Sequence, residues 1–488
     1  MTHIGYITDI ISFGNIGILD YPIIHILLSI ISLTCNLDVI TLSMYASPFY
    51  SIFYVFLIYL LSKFLLGNQH SLISLITCVL LLNTQNNFYL VPWGFAVFSL
   101  PLFFYIFLKY NYSKRPVWAI LLIIFSIMYP FFHMQSSLYV ILTLCLIYLL
   151  NMFADTMQTK SFKKAFLKNT GIFINISIIL LVFSSWTTKF KRFFPNITSV
   201  FNLLNGKGSS NKSLDDKLGK FSKIGMEGFS IIIYVIKAMG SNIIMFMMSG
   251  ISLILFIKNY KGYSKIEKNI IVIFCLTFLA YFLYIAVNLN LIQGLKAIGA
   301  DRFITYASIF TPILSSIFLV SILKINKPFK NTGISIISLI LIVSSTLSSL
   351  YMYPSTYSVM PSSQNTFMNF YGYSWLFNNN HEHPEILSIL SSPFRYKDAI
   401  MGVSATKNIP RYRTLPDHFD YYENISLGSS IHTDSYVFIS EIDKITYSGV
   451  WKNVGRFNNN DFEKTCPDTT INNIYSNKEA NVWLVNKE

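Results

Sequence analysis

The sequence predicts a polytopic α-helical membrane protein of about ten spans with a C-terminal soluble α+β domain on the outer side. Three observations predict it. Of the 488 residues, 53% are hydrophobic and only 12% are charged, about half the charged share of a soluble domain, and mean hydropathy is +0.50. The charges gather in short clusters between long apolar runs, the pattern of a chain written for lipid. The stretch after residue 352 changes character and becomes rich in Asn, Tyr and His.

The apolar runs place candidate spans at 41–62, 71–83, 90–108, 117–131, 137–153, 170–186, 240–257, 269–287, 304–323 and 333–352. Two shorter runs, 1–18 and 22–36, are read as helices lying at the membrane surface or packed on the bundle, with Pro22 at a first helical position. The net charge of +14 does not indicate nucleic acid. Its Lys and Arg residues sit at the ends of apolar runs, where they face the cytoplasm and anionic lipid. Lys63, the Lys109–Lys114–Arg115 group, the 160–168 lysines, the 258–268 lysines and the 324–330 lysines fall in alternate loops, while 84–89 and 132–136 carry none. The positive-inside rule then puts 1–40, 187–239 and 353–488 outside, in a multi-pass protein of the plasma membrane with an extracellular C-terminal domain. The domains are thus an outer segment 1–40, a bundle 41–352 with an outer loop 187–239, and a soluble domain 353–488. Within the loop, 224–239 is read as a return to the membrane surface. No span precedes 1–40, so the expectation is that the native chain begins upstream of Met1.

In the tail, Ser435 to Ile442 and Asn481 to Val485 read as strands, with a turn over 475–479 between the last two. The five cysteines lie mostly in apolar runs and define neither a disulfide framework nor a metal spacing.

The interiors of the spans are almost free of ionisable residues. A coupled transporter would need them at mid-depth, so chemistry is expected at the outer surface. There the ends of the helices gather His3, Asp9, Asp20, Tyr21, His25, His133, Asp301 and Arg302. A guanidinium at that depth suits a lipid phosphate, and a carboxylate or imidazole suits a general base. Each also has an ordinary role. An interfacial His is commonly an anchor, Asp301-Arg302 can simply fix a helix end, and Asp9 can be a solvated charge on an amphipathic face. Asp417-His418-Phe419 reads as a structural turn rather than a dyad.

The opening His3-Ile4-Gly5-Tyr6 with Asp9, the Gly14 turn, and Tyr21-Pro22 followed by His25 resemble the first outer loop of GT-C type membrane glycosyltransferases. The closest members are prokaryotic, archaeal ones related to protein mannosyltransferases and oligosaccharyltransferases. Asp301-Arg302-Phe303, Leu415-Pro416-Asp417-His418-Phe419 and Asn473-Ile474-Tyr475-Ser476-Asn477 are similar to further positions of that group. The resemblance implies transfer of a sugar from a polyprenyl-phosphate donor to a glycan or protein acceptor, with membrane lipid as a partner. It also implies an essential Asp in the first outer loop, acting as base or holding a divalent cation, Mg or Mn. The family Asp would fall before Met1, which leaves Asp9 as its stand-in. On this reading Asp9 and His25 are catalytic, and His3, Tyr21, His133, Asp301 and Arg302 bind substrate. Two alternatives remain: a transporter or flippase for a lipid-linked glycan, and a non-catalytic glycan-binding scaffold.

Overall fold

The computed structural model describes the chain except residues 18, 83–88, 191–192, 196–197, 199–201, 203–218, 220, 223, 259–264, 289–299, 324–329, 361, 363, 380–384, 407–414 and 424–425. The middle of the outer loop 187–239 and most of the stretch before Asp301 therefore lie outside the described residues, as does the Asp301 side chain.

The chain opens with two short helices. α1 (Thr2–Phe13) stops at Gly14, whose φ of 66° lets its N–H close on the Ile10 carbonyl. α2 (Ile23–Cys35) follows Pro22, which stands one residue outside the helix rather than at its first position. Both pack rather than float: α1 lies against α2 and against the helix Pro393–Met401 of the C-terminal domain, and α2 lies against α3 and α7.

The bundle follows. α3 (Val39–Leu66) is capped by Asp38, whose carboxylate accepts the Thr41 N–H at 2.9 Å. α4 (Asn68–Leu80) turns back on it, joined by the Ser62 and Ser74 hydroxyls at 2.8 Å. Next come α5 (Pro92–Phe98), α6 (Leu100–Ser113), α7 (Pro116–Phe132), α8 (Met134–Thr159) and α9 (Phe162–Thr187), then helices Phe229–Lys258, Lys265–Asn288, Ala300–Ser308, Thr311–Leu323 and Lys330–Met352.

Among the described residues, seven helices are long and apolar enough to cross a membrane, fewer than the ten runs the sequence suggests. Two of the differences are differences of length: α4 has 13 residues, about 20 Å of helix against a hydrocarbon core of about 30 Å, and α7 has 17. The run at 269–287 falls in the 24-residue helix Lys265–Asn288, of which the side chains are described only in part. The surface segment expected at 224–239 is also revised: from Phe229 onward it is the first part of one 30-residue helix.

Aromatic rings fill the bundle core. Phe103, Phe104, Phe107, Tyr129 and Phe310 are fully enclosed, and Tyr129 and Tyr54 donate to the carbonyls of Ala96 and Ile309 at 2.6 and 3.0 Å. Elsewhere small hydroxyl residues let helices approach, with Ser249 and Ser315 3.0 Å apart across two of them. Exposed side chains such as Leu181, Leu339 and Ile342 form the face that a lipid phase would cover.

The C-terminal domain is built on a four-stranded sheet in the order β1-β2-β4-β3. β1 (Glu385–Ser388) is parallel to β2 (Ser435–Ser440), and β4 (Ala480–Val485) is antiparallel to both β2 and β3 (Ile471–Ser476). β2 ends two residues before the expected Ile442. Ser440 caps the next helix instead: its hydroxyl accepts the Asp443 N–H and the Asp443 carboxylate accepts the Ser440 N–H. One face of the sheet packs Phe438 on Tyr373, ring centroids 3.8 Å apart, with Tyr396 behind. The other holds Val437, Ile439, Phe419 and Phe457.

Candidate functional site

α1 and α2 meet through their histidines. His3 Nδ1 and His25 Nε2 are 3.0 Å apart, and His25 Nδ1 is 3.0 Å from the Tyr21 carbonyl. A carbonyl can only accept, so His25 Nδ1 donates to it. In neutral His25 the other nitrogen then accepts, so His3 donates through Nδ1 and keeps its lone pair on Nε2. Burial first, and then the mutual repulsion of the two rings, pulls the His3 pKa down to about 3. Burial also pulls His25 down to about 4, against the Tyr21 hydrogen bond. Both rings are therefore neutral at pH 7.

The same Tyr21 links this pair to a second cluster. Its ring lies on His133 with centroids 4.4 Å apart and meets Phe190 edge-on. The backbone of the loop is held by Trp186, whose indole N–H donates to the Asp20 carbonyl at 2.9 Å. His133 sits at the junction of α7 and α8, an extended residue between two helices, where Nδ1 accepts the Gln135 N–H at 3.3 Å. That contact puts the proton of the neutral ring on Nε2. Burial, and then the positive Arg302, hold His133 down at about 3.

Arg302 projects from the helix Ala300–Ser308. Its guanidinium stands 5.9 Å from the Trp93 ring centroid and donates from Nη1 to Gln135 Oε1, so an aromatic face and an amide fix the plane of the fork. Below it Tyr306 shares a hydrogen bond with Ser136 at 2.9 Å and stacks on Tyr139. Burial and the neighbouring Asp20 carboxylate push the Tyr21 hydroxyl up to about 12, with Arg302 opposing. It stays a protonated phenol. The cluster thus presents proton donors on neutral or cationic groups: the Arg302 fork, His133 Nε2–H and the Tyr21 hydroxyl. Such a set matches an anion with several acceptor oxygens.

Asp9 is placed elsewhere. Its carboxylate is 9% exposed and accepts both the backbone N–H and the hydroxyl of Ser404, at 2.9 and 3.0 Å. It faces the C-terminal domain, while His3 and Tyr6 on the same helix face His25. Two further contacts tie α1 to that domain. Thr2 donates to Asp398 Oδ2 at 2.9 Å, and Gly5 passes so close to Asp398 that a Cβ there would meet its carbonyl oxygen at 2.2 Å.

The carboxylate that does stand by the donor cluster is Asp20, exposed in the loop before Tyr21 and felt, with Arg302, at the Tyr21 hydroxyl. Its signal in the sequence is its place immediately before Tyr21-Pro22, on the loop that carries the distinctive His25. Among the described residues no three His, Cys, Asp or Glu side chains converge. The His3–His25 pair uses its facing nitrogens on each other, and Asp9 is engaged with Ser404.

His418 is buried in the C-terminal domain, its Nδ1 2.7 Å from Asp461 Oδ2. His418, Phe419 and Asp420 all have positive φ, between 51° and 59°, so Asp417-His418-Phe419 is a tight turn pinned by a buried pair. His381 and His383 lie outside the described residues.

The fold and the cluster together describe a multi-pass helical membrane protein with an anion-suited cluster at helix ends beneath a small sheet domain. That architecture aligns with solved structures of archaeal oligosaccharyltransferase. One is the Archaeoglobus fulgidus oligosaccharyltransferase in complex with zinc and sulfate, at a TM-score of 0.54 and 11% identity over 90% of this chain and 63% of that one. Another is AglB from Archaeoglobus fulgidus in complex with an inhibitory peptide and a dolichol-phosphate, at 0.52 and 10% over 92% and 66%. The chain thus spans just under two thirds of the length of those proteins. No family model matches it, and no curated protein matches it in sequence. The resemblance carried by the outer-face residues stands at the level of the fold.

Proposed function

We propose that this protein is a membrane glycosyltransferase that moves a sugar from a polyprenyl-phosphate-linked donor to a glycan or protein acceptor on the outer face of the membrane. The observation that carries the reading is the Arg302 cluster: a guanidinium held by Trp93 and Gln135, with the ring of Tyr21 lying on His133 beside it. In this reading Arg302 takes the lipid phosphate through two parallel N–H bonds, and His133 Nε2–H and the Tyr21 hydroxyl complete the cradle. His25 and His3 hold the Tyr21 loop through its carbonyl. Asp20 accepts the proton of the acceptor group as it attacks the sugar, so that the phosphate leaves stabilised by Arg302. No step is routed through a metal. The outer-side orientation rests on the distribution of basic loops.

The test uses the full chain in native membranes with a photoreactive polyprenyl-phosphate sugar. Arg302→Ala is expected to lose both labelling and transfer, and Arg302→Lys, a cation without the fork, to keep part of each. Asp20→Asn is expected to keep labelling and lose transfer. Normal transfer by Arg302→Ala would overturn the assignment.

A further inference from the structure

Away from the helix-end cluster, the C-terminal domain contains a half-open cavity of about 500 Å³. It lies between the segment that follows the last bundle helix and the turn after β2. Pro354, Ile442, Ile445 and Val450 form apolar walls. The wall after β2 is a short π-helical turn, Thr446–Val450, a rare distortion that is frequent at functional sites.

The cavity is rimmed by the hydroxyls of Ser355, Thr356, Ser362, Thr366 and Thr446, which donate as well as accept, and among the described residues its only ionised lining groups are two carboxylates. Glu441 and Glu479 both line it, and their segments are tied by the Glu441 N–H donating to the Glu479 carbonyl at 2.8 Å. Glu441 is half-exposed and shares its charge with Lys444 at 2.7 Å. The third group is Asn369. It lines the cavity, is only 3% exposed, and its side-chain oxygen has no hydrogen-bond partner among the described residues. Leaving an amide oxygen buried and unpaired is destabilising. A site that keeps one beside two carboxylates has a use for a donor.

We propose that this cavity is a binding site for a primary ammonium group on an alkyl stem. An ammonium has three donors and no acceptor, which matches two carboxylates and an amide oxygen. A flexible methylene stem lies naturally along Pro354, Ile442 and Ile445 while its charged head reaches the polar end. A lysine side chain of an extended peptide and a free alkylamine share this chemistry.

The experiment titrates the full chain in nanodiscs with three probes: Ac-Gly-Lys-Gly-NH2, its norleucine counterpart, and n-pentylamine. The lysine peptide is expected to bind at least roughly tenfold more tightly than the norleucine peptide, and to weaken by a similar factor in a Glu441→Gln, Glu479→Gln double variant. Both glutamates reach solvent, so the variant keeps its fold, and an unchanged circular dichroism melt verifies this. Pentylamine binding as well as the peptide identifies a free amine as the ligand, and peptide-only binding identifies a protein segment. Either outcome supports the ammonium site. Equal affinity for lysine and norleucine, indifference to the double variant, or failure of both amines to bind would overturn it.

Discussion

Asp9 offers the sharpest discrimination between roles. The sequence suggests a base, whereas the structure has its carboxylate accepting two hydrogen bonds from Ser404 across to the C-terminal domain. Gly402 leaves room for this contact: its φ is +86°, and a Cβ there would meet Asp9 Oδ1 at 2.1 Å. A hydrogen bond to a charged group contributes about 1.5–3 kcal/mol, and Ser404 itself is exposed to water, so the pair together is set near the low end, about 2 kcal/mol. Asp9→Ala should then raise local opening of 403–406 roughly thirtyfold, at about 1.4 kcal/mol per factor of ten. Asp9→Asn keeps an oxygen that accepts both bonds and should cost less than about 1 kcal/mol. It nevertheless removes the basic group. Hydrogen exchange on peptides covering 398–406, read beside sugar transfer, separates the two roles. A strap predicts that Asp9→Asn retains both protection and transfer. Preserved protection with transfer abolished would refute the strap and return Asp9 to the chemistry, and unchanged exchange in Asp9→Ala would refute the energetic argument itself.

Gly5→Ala should separate α1 from the Pro393–Met401 helix, because the new Cβ meets Asp398 backbone rather than a movable side chain; a cysteine crosslink between positions 2 and 398 should fall in yield, and an unchanged yield would show that the backbone yields freely. The His3–His25 pair should make the outer segment acid-sensitive. Folded His25 titrates at about 4 against about 6.5 when unfolded, so its contribution is complete above pH 6.5 and is lost as pH falls towards 4. The loss is on the order of 3 kcal/mol for this fully buried ring; melting from pH 7 to 4 should show it, and His25→Gln should flatten the slope. His418→Ala should leave Asp461 buried without its partner and lower the melting temperature of the C-terminal domain, by a cost of about 3 kcal/mol, while sparing lipid-donor labelling by the Arg302 cluster.

What the sequence made legible is what repeats along the chain. Long apolar runs became helices because lipid admits little else, and Gly14 announces a helix end by local chemistry alone. Length near the threshold was legible but not decisive: the run at 71–83 is already short in the sequence, and α4 (Asn68–Leu80) is no longer, at 13 residues. The strand over Ser435 to Ile442 also looked continuous, since nothing in its alternation reveals that Ser440 prefers to cap a helix. Contacts between distant positions were hidden altogether. Asp9 finds Ser404, His418 finds Asp461 and Arg302 finds Gln135, and no periodicity along one segment encodes a partner on another.

Asp9 and Asp20, two of the three aspartates of the N-terminal segment, show why position on a helix face outweighs residue type. His3, Tyr6 and His25 form one aromatic cluster, so the face of α1 that carries His3 and Tyr6 is turned to α2. Asp9 lies six residues beyond His3, about 240° further round the helix, and is directed to Ser404 instead. Its Oδ2 is committed to Ser404, and the carboxylate is directed away from the Tyr21–His133 stack. Asp20 is set by a different constraint. It stands in a loop whose carbonyl is held by Trp186 and whose next residue lies on His133, so its backbone is anchored while its side chain reaches solvent. Anchored backbone with an accessible carboxylate, next to a donor-rich anion cradle, is the arrangement a general base requires. The same bond from the Tyr21 carbonyl to His25 that fixes the histidine tautomers also fixes this loop. Acid that charged His25 would therefore strain the pair with His3 and loosen the segment that presents Asp20, so that in the proposed mechanism the histidine pair would act by supporting that loop.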